Sequence, residues 1–316
     1  MYCSRIVVVV SLALMGAGPV LAQDYPNRPI RLGASAAGGG TDFTARLVAQ
    51  GISGALGQQV IVENRGSPIL AGDYVAKAAP DGYTILAAGS ATWIRPLLVK
   101  LPWDPIRDFT PITLVERSPN VVAVHPSMPV KTIKELIALA KARPGELYFG
   151  SVATGGPDHL AAELLKSMAG INLAHVPYKG ISSALQALLS GEVQLTFGSI
   201  ASVIPHVKSG RLRALAVTSA EPSALLPGLP PVAATVPGFS IVPVTGIWAP
   251  IKTPAAIITR LNQEILRYVR SPEAREKFLA AGIETVGNSP AEFDTIIKTE
   301  MALLGKVIKD AGIKGE

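Results

Sequence analysis

The 316-residue chain carries 29 lysines and arginines against 23 acidic residues, and the basic residues are scattered rather than clustered or interleaved with aromatics. That pattern excludes a nucleic-acid surface and leaves a mild attraction for small acidic molecules. One cysteine, Cys3, excludes a disulfide scaffold, and the length suffices for one large α/β domain or two lobes with separate cores.

Residues 1–22 have the make-up of a secretory signal peptide. Arg5 supplies the positive start, Ile6 to Met15 the apolar stretch, and Val20-Leu21-Ala22 a small-residue cleavage site. The apolar run is too short to span a bilayer, and no later stretch is long enough. A retained amphipathic anchor is the alternative. Cys3 precedes the apolar stretch, so it is not placed to bear a lipid. Cleavage removes Arg5 and leaves 28 basic and 23 acidic residues from Gln23 onward, with no cysteine. Stability in an oxidising compartment must then come from a core.

Ile30 to Leu32 reads as a strand that runs into Gly33-Ala34-Ser35-Ala36-Ala37-Gly38-Gly39-Gly40-Thr41-Asp42. The spacing beyond it predicts a helix with Phe43, Leu47, Ile52 and Leu56 along one face. Three successive glycines let the backbone turn tightly and approach a ligand, and the free N–H groups opening the helix suit an anion. Taken alone, the loop is equally well a plain strand-to-helix turn. Gln59 to Glu63 is the next strand, Asn64 to Pro68 an irregular loop, Gly72 to Ala79 a short helix, and Tyr83 to Ala88 a third strand. Gly89-Ser90-Ala91-Thr92 reads as a small-residue loop at that strand's end. Strands alternating with helices predict a mostly parallel sheet covered on both faces.

Phe109 to Arg117 and Val121 to His125 continue the strand series. Thr132-Ile133-Lys134-Glu135 has capping-box spacing and starts a helix that ends before Arg143-Pro144-Gly145. The pattern then restarts with a strand from Leu147 to Gly150, a loop from Ser151 to His159 and a helix through Met168. Three more strands follow at Ala174 to Pro177, Val193 to Phe197 and Leu212 to Thr218, with helices starting near Ser182 and Ala201. Residues 219–238 form a long connection rich in proline and alanine, and Phe239 to Ala249 is an extended strand that could cross back to the first half. Thr253-Pro254, Ser271-Pro272 and Ser289-Pro290 each open a helix, with a hydroxyl at the N-cap and proline in the first turn. The apolar face of the last helix (Phe293, Ile297, Met301, Leu304, Ile308) reads as packing, with a partner interface as the lesser alternative.

The opening loop has a second copy. Gly39-Gly40-Thr41-Asp42-Phe43-Thr44-Ala45 and Gly155-Gly156-Pro157-Asp158-His159-Leu160-Ala161 share both glycines, the aspartate and the alanine. Two strand–glycine–helix units predict two similar lobes whose helix N-termini point into one cleft, a two-sided anion clamp of backbone donors. Asp42 and Asp158 fit capping or the helix dipole better than contact with an acidic ligand. His159 either faces the cleft or packs against its lobe. Ser151 is a nucleophile only on paper, because no adjacent base is evident.

Sharper motifs fail. Gly33 and Gly38 have the outer spacing of a phosphate loop, but Gly39 stands where its lysine must be. There is no Gly-x-Ser-x-Gly elbow and no His-Glu-x-x-His. The four histidines are far apart in sequence, so neither a metal nor a cofactor is expected.

Over essentially the whole mature chain the sequence resembles the Bug-type periplasmic solute receptors of tripartite tricarboxylate transporters. The resemblance is carried by Tyr25-Pro26-Asn27-Arg28-Pro29-Ile30, by Gly39 to Asp42 with Ala45-Arg46, and by Leu56-Gly57-Gln58. Val62-Glu63-Asn64-Arg65, Pro80-Asp81-Gly82-Tyr83-Thr84, Asp108-Phe109 and Glu135-Leu136-Ile137 add to it, as does His159-Leu160-Ala161. So do His175-Val176-Pro177-Tyr178-Lys179-Gly180 and the run from Gly210 to Val217.

The resemblance implies an α/β two-lobed clamshell of the type II periplasmic-binding class with two crossover strands. Lobe 1 would comprise residues 23–120 and 246–316, and lobe 2 residues 121–245. It also implies a ligand carboxylate held by backbone N–H groups and ordered water, with Ser35, Gly39, Gly40 and Thr41 on one side. Ser151, Thr154, Gly155, Gly156, Pro157, Asp158 and His159 would line the other, with Ser90, Tyr178 and Ser199 at the ligand's far end. Ala36-Ala37 replaces two family prolines, Gly66 to Leu70 replaces a Pro-Gly-Ala-Gly-Gly run, and Gly198 replaces an aspartate. These departures predict a looser first loop and a more neutral pocket wall.

The expected function is periplasmic capture of a small mono-, di- or tricarboxylate, aromatic acids included, by a monomeric non-enzymatic receptor that passes it to membrane permease subunits. The alternatives are a co-sensor that docks on a receptor kinase and, more remotely, a periplasmic enzyme using Ser151 or His159.

Overall fold

The structure, a computed structural model, describes residues 25–151 and 154–314; the signal segment at 1–22 lies outside the described residues. Three apolar runs, β1 (Ile30–Ala34), β2 (Val60–Asn64) and β3 (Thr84–Gly89), pair in parallel with β1 in the middle. Alternate residues of β3 feed different cores. Ile85 and Ala87 join a cluster with α1 (Gly40–Leu56) and α8 (Ala255–Val269), while Leu86 and Ala88 face the cluster that includes α2 (Pro68–Ala76). A sheet buried on both faces needs such near-continuous apolar strands.

The same sheet continues with antiparallel members. β10 (Val244–Pro250) lies between β3 and β4 (Phe109–Arg117), and the two-residue β11 (Glu284–Thr285) closes the edge, giving the order β11-β4-β10-β3-β1-β2. The expectation of a mostly parallel sheet is therefore half met. The antiparallel half arises because β10 returns from the other lobe and inserts between two existing strands.

The second sheet has the order β7-β6-β8-β5-β9, from β5 (Asn120–Val124), β6 (Tyr148–Ser151), β7 (Ala174–Pro177), β8 (Leu195–Ser199) and β9 (Arg213–Val217). Its helices include α5 (Pro157–Ala169), α6 (Ile181–Ser190) and α7 (Ile200–Lys208). Two backbone passages join the sheets, and they run side by side. Ser118 N–H donates to Pro243 O at 2.8 Å, Thr218 N–H to Asn120 O at 2.9 Å and Ile241 N–H to Thr218 O at 3.1 Å.

Two local expectations shift. The buried face of α1 is Ala45, Val48, Ala49, Ile52 and Leu56, whereas Phe43 is 38% exposed and Leu47 is half-buried. Ile52 and Leu56 of the predicted stripe are buried as expected, whereas in the first two turns Ala45, Val48 and Ala49 take the places expected of Phe43 and Leu47. The Gly89–Thr92 segment is no loop: Ser90 leads into α3 (Ala91–Ile94), which tightens into a 3-10 turn over Arg95–Leu97. Capping holds for α9 (Pro272–Ala280) and α10 (Pro290–Asp310), where Ser271 and Ser289 accept from Ala274 and Glu292 N–H. It does not hold for α8, because the Thr253 hydroxyl turns back to Pro250 O instead.

One core cluster crosses between the lobes. Trp93, Trp248 and Phe293 pack with ring centroids 4.7–5.9 Å apart. Leu304, Val307 and Ile308 of α10 belong to the same cluster as Leu160, Leu164 and Leu165 of α5. The apolar face of the last helix is thus packing, with Phe293, Ile297, Leu304 and Ile308 all buried. It fixes the start of α5 relative to the first lobe.

Candidate functional site

Each glycine loop joins a strand end to a helix start. In the first, Gly38 is left-handed (φ 80°), Gly39 is the N-cap and Gly40 opens α1. In the second, Gly155 is left-handed (φ 77°), Gly156 is the N-cap and Pro157 opens α5. By backbone role Gly38 therefore corresponds to Gly155 and Gly39 to Gly156, one residue away from the match suggested by the shared Gly-Gly-x-Asp. That correction has a chemical consequence, because Asp42 then stands where His159 stands, not Asp158.

Asp42 is buried and accepts from Gly38 N–H (2.9 Å), Arg46 (3.0 Å) and Asn64 Nδ2 (2.8 Å). Asn64 also donates to Ser35 O, so one side-chain knot ties both ends of the loop. Burial alone would raise the Asp42 pKa, but these three donors hold it below the ordinary carboxylate value. Of the two roles read from the sequence, Asp42 has the place in the first turn that suits the helix dipole, and it latches the loop through Gly38 instead of capping the helix.

His159 takes the corresponding place in the second loop. It is 3% exposed, and its Nδ1 accepts from Gly155 N–H at 2.9 Å, which puts the neutral ring's proton on Nε2. Nε2 lies 3.6 Å from Glu163 Oε1, which Lys166 pairs at 2.7 Å. The ring stacks on His175 at 4.0 Å between centroids, and His175 stacks in turn on Phe149 at 4.9 Å. Burial pushes both histidines down to about 4; Lys166 adds to this for His159, and the neighbouring His159 adds to it for His175. Of the two placements open from the sequence, His159 packs inside its lobe and acts through the loop.

Ser151 does have a base beside it. His175 Nε2 lies 2.6 Å from its Oγ, because β6 and β7 are parallel neighbours whose register brings the two together. Ser151 is nevertheless fully buried and does not line the cavity described next. The pair reads as an internal latch rather than a presented nucleophile.

Between the lobes lies a cavity of about 440 Å³ lined by Ser90, Thr154, Gly155, Gly156 and Pro157, together with Ala91, Ile94, Arg95, Leu98 and Val99. The first five are among the residues singled out in the sequence; the others are not. They form one helical stripe with spacing i, i+3, i+4, i+7, i+8. That stripe is legible in Ala91 to Val99 but is cut short when Gly89–Thr92 is read as a small-residue loop. Leu98 comes from the first lobe and touches the second. A Cβ on Gly155 would lie 2.5 Å from Leu98 Cδ1, so glycine is required there twice over. Arg95 also corrects the expectation of a neutral pocket wall.

The remaining singled-out residues do not line this cavity. Gly39, Gly40 and Thr41 start α1, and Thr41 Oγ1 sits 4.0 Å from the position a Gly89 Cβ would take, next to Ser90. Ser35 and Thr41 are half-buried, and Gly39 and Gly40 are exposed. Asp158 lies in the first turn of α5. The Tyr178 hydroxyl donates to Glu192 at 3.0 Å, and Ser199 Oγ pairs with Ser202 at 2.8 Å; neither residue lines the cavity. Among the described residues, no group of His, Cys, Asp and Glu could hold a metal ion, and no helix is long and apolar enough to cross a membrane.

Two α/β lobes joined by paired crossovers, with a glycine loop opening a helix in each and an interlobe cavity lined by the second loop, define a solute-binding protein of the periplasmic-binding type. Residues 44–313 match the model of the tripartite tricarboxylate transporter family receptors, and the chain belongs to that family. It is 33% identical over 324 aligned positions to protein BugT of Bordetella pertussis (strain Tohama I), covering 99% of each chain. It is 35% identical over 290 positions to a protein encoded in the tcbD-tcbE intergenic region of Pseudomonas sp. (strain P51), covering 90% of this chain and 86% of that one. A solved R. palustris protein with adipate superposes with a TM-score of 0.72 at 36% identity, covering 92% of this chain and 99% of the other.

Proposed function

We infer that this chain is a periplasmic receptor that captures a small organic acid between its lobes and hands it to the permease subunits of a tripartite transporter. The observation that carries this reading is a latched glycine loop opening a helix at the interlobe cavity, with a second latched loop of the same build opening a helix in the other lobe, in a chain of this receptor family. Among the described residues, the N–H groups of Gly40, Thr41 and Gly156 have no protein acceptor. Such donors at a helix start are matched to a carboxylate. That a relative at 36% identity is solved with adipate supports the choice of anion.

The signal segment at 1–22 would route the chain to the periplasm, where it works as a monomer. Residues 23–120 with 246–316 form the lobe that supplies Ser35, Gly39, Gly40, Thr41 and Ser90, and residues 121–245 the lobe that supplies Thr154 to Asp158. Closure removes water from the cavity and strengthens each backbone-to-carboxylate hydrogen bond. Calorimetry of the mature protein against mono-, di- and tricarboxylates, aromatic acids included, tests the reading. Saturable binding of an acid supports it; no binding across the panel overturns it.

A further inference from the structure

The cavity wall supplied by the first lobe is a stripe of four apolar residues with a single charged one in its middle, Arg95. Among the described residues, Arg95 is the only charged one lining the cavity, and no carboxylate lies within ion-pair distance of it. By contrast, Arg28, Arg46, Arg117 and Arg260 each have an acidic partner at 2.6–3.1 Å. In the 3-10 turn, residues three apart lie one above the other, so Arg95 stands on the same face as Leu98. Leu98 in turn packs on Gly155, which opens the second loop. The cavity thus has two positive poles, the start of α5 and the Arg95 guanidinium, separated by the side chains of Ile94, Leu98 and Val99.

We propose that Arg95 is the specificity-determining residue of this site, selecting acids that carry a second anionic group beyond a short apolar body. The proposal rests on the carboxylate reading above and deepens it. One carboxylate sits at the start of α5, the apolar body lies on Ile94, Leu98 and Val99, and the second anion meets the guanidinium fork. That fork offers paired donors in the geometry of a carboxylate, which a lysine ammonium does not. A monocarboxylate of the same length leaves Arg95 without its partner while the lobes close and water is removed.

The test is calorimetry of the mature protein with straight-chain dicarboxylates from succinate to suberate and monocarboxylates from butyrate to octanoate. The wild type is expected to favour its best dicarboxylate over the monocarboxylate of equal length by about tenfold to a hundredfold, as a charge-assisted pair implies. Arg95→Gln is expected to bring that ratio to within about threefold of unity, with Arg95→Lys intermediate. A wild-type ratio near one, or a ratio undiminished in Arg95→Gln, overturns the assignment of Arg95 while leaving the carboxylate reading intact. Binding of no acid at all overturns both. Circular dichroism and melting of each variant show that a lost ratio is not lost fold.

Discussion

In the first glycine loop the Gly38 N–H is held by Asp42, four residues on, and in the second the Gly155 N–H is held by His159, also four residues on. The backbone device is the same and the chemistry of the latch is not. Asp42 is an ionised acceptor whose other oxygen and neighbours are tied to Arg46 and Asn64 at the rim of its lobe. His159 is a neutral acceptor inside its lobe, stacked on His175 and reached by nothing outside. An anion-binding loop latched by a carboxylate keeps its shape by electrostatics; one latched by an imidazole keeps it only while the ring stays unprotonated.

Removing the ionic latch gives the largest expected effect. Asp42→Ala leaves the Gly38 N–H without its acceptor, removes one acceptor each from Asn64 and Arg46, and should cost about 2–3 kcal/mol of stability, read by urea unfolding. A loss below about 0.5 kcal/mol would show that the first loop does not depend on its carboxylate. Next come the glycines themselves. Both are left-handed, so either alanine variant costs about 1–2 kcal/mol from backbone strain alone. Gly38 has open space around its missing Cβ, whereas Gly155 meets Leu98 at 2.5 Å. Gly155→Ala should therefore lower both melting temperature and ligand affinity more than Gly38→Ala, and equal effects would break the distinction between the loops.

The pH dependence sharpens it further. His159 and His175 titrate near 4 in the folded chain and near their ordinary value of 6.5 when unfolded. Between those limits the unfolded chain binds more protons, so stability from this pair is complete above about pH 6.5 and is lost as pH falls towards about 4. Melting followed over that range should decline for the wild type and decline less for His159→Gln. Asp42 is held below its ordinary value, so its contribution is lost only at lower pH. The smallest effect belongs to Ser151→Ala. It removes one hydrogen bond to His175 at a cost of about 1 kcal/mol, and ligand affinity should change by less than about threefold.

Much of this was legible in the chain. The limits of β4 and β7 agree with the apolar runs that predict them, and Ser289 caps the last helix ahead of Pro290 as read. The two loops were recognisable as a repeat because glycine and aspartate recur between a strand and a helix. Their true offset was not, because Gly39-Gly40 and Gly155-Gly156 look alike as letters, whereas only φ and the side-chain latch separate a left-handed residue from an N-cap. The Ser151–His175 pair spans 24 residues and exists only through the register of two parallel strands. Arg95 escaped notice because a lone arginine beside a proline reads as a surface turn until the stripe on either side of it is seen to face a cavity.

Trp93 belongs to the same short helix as that stripe and points the other way. Its ring lies buried against Trp248 and Phe293, and its indole N–H donates to Glu300 of α10 at 2.5 Å. Burial pushes the Glu300 carboxyl up to about 7, with the indole hydrogen bond pulling against it. The protein therefore carries its own optical probe, an indole whose hydrogen-bond partner changes charge near neutrality and whose chain neighbours Ala91 and Ile94 line the cavity. Emission from this tryptophan should shift with a midpoint near pH 7, and again when an acid presses on Ala91 and Ile94. Ligand capture can then be followed in the unlabelled chain, with Glu300→Gln separating the proton signal from the ligand signal.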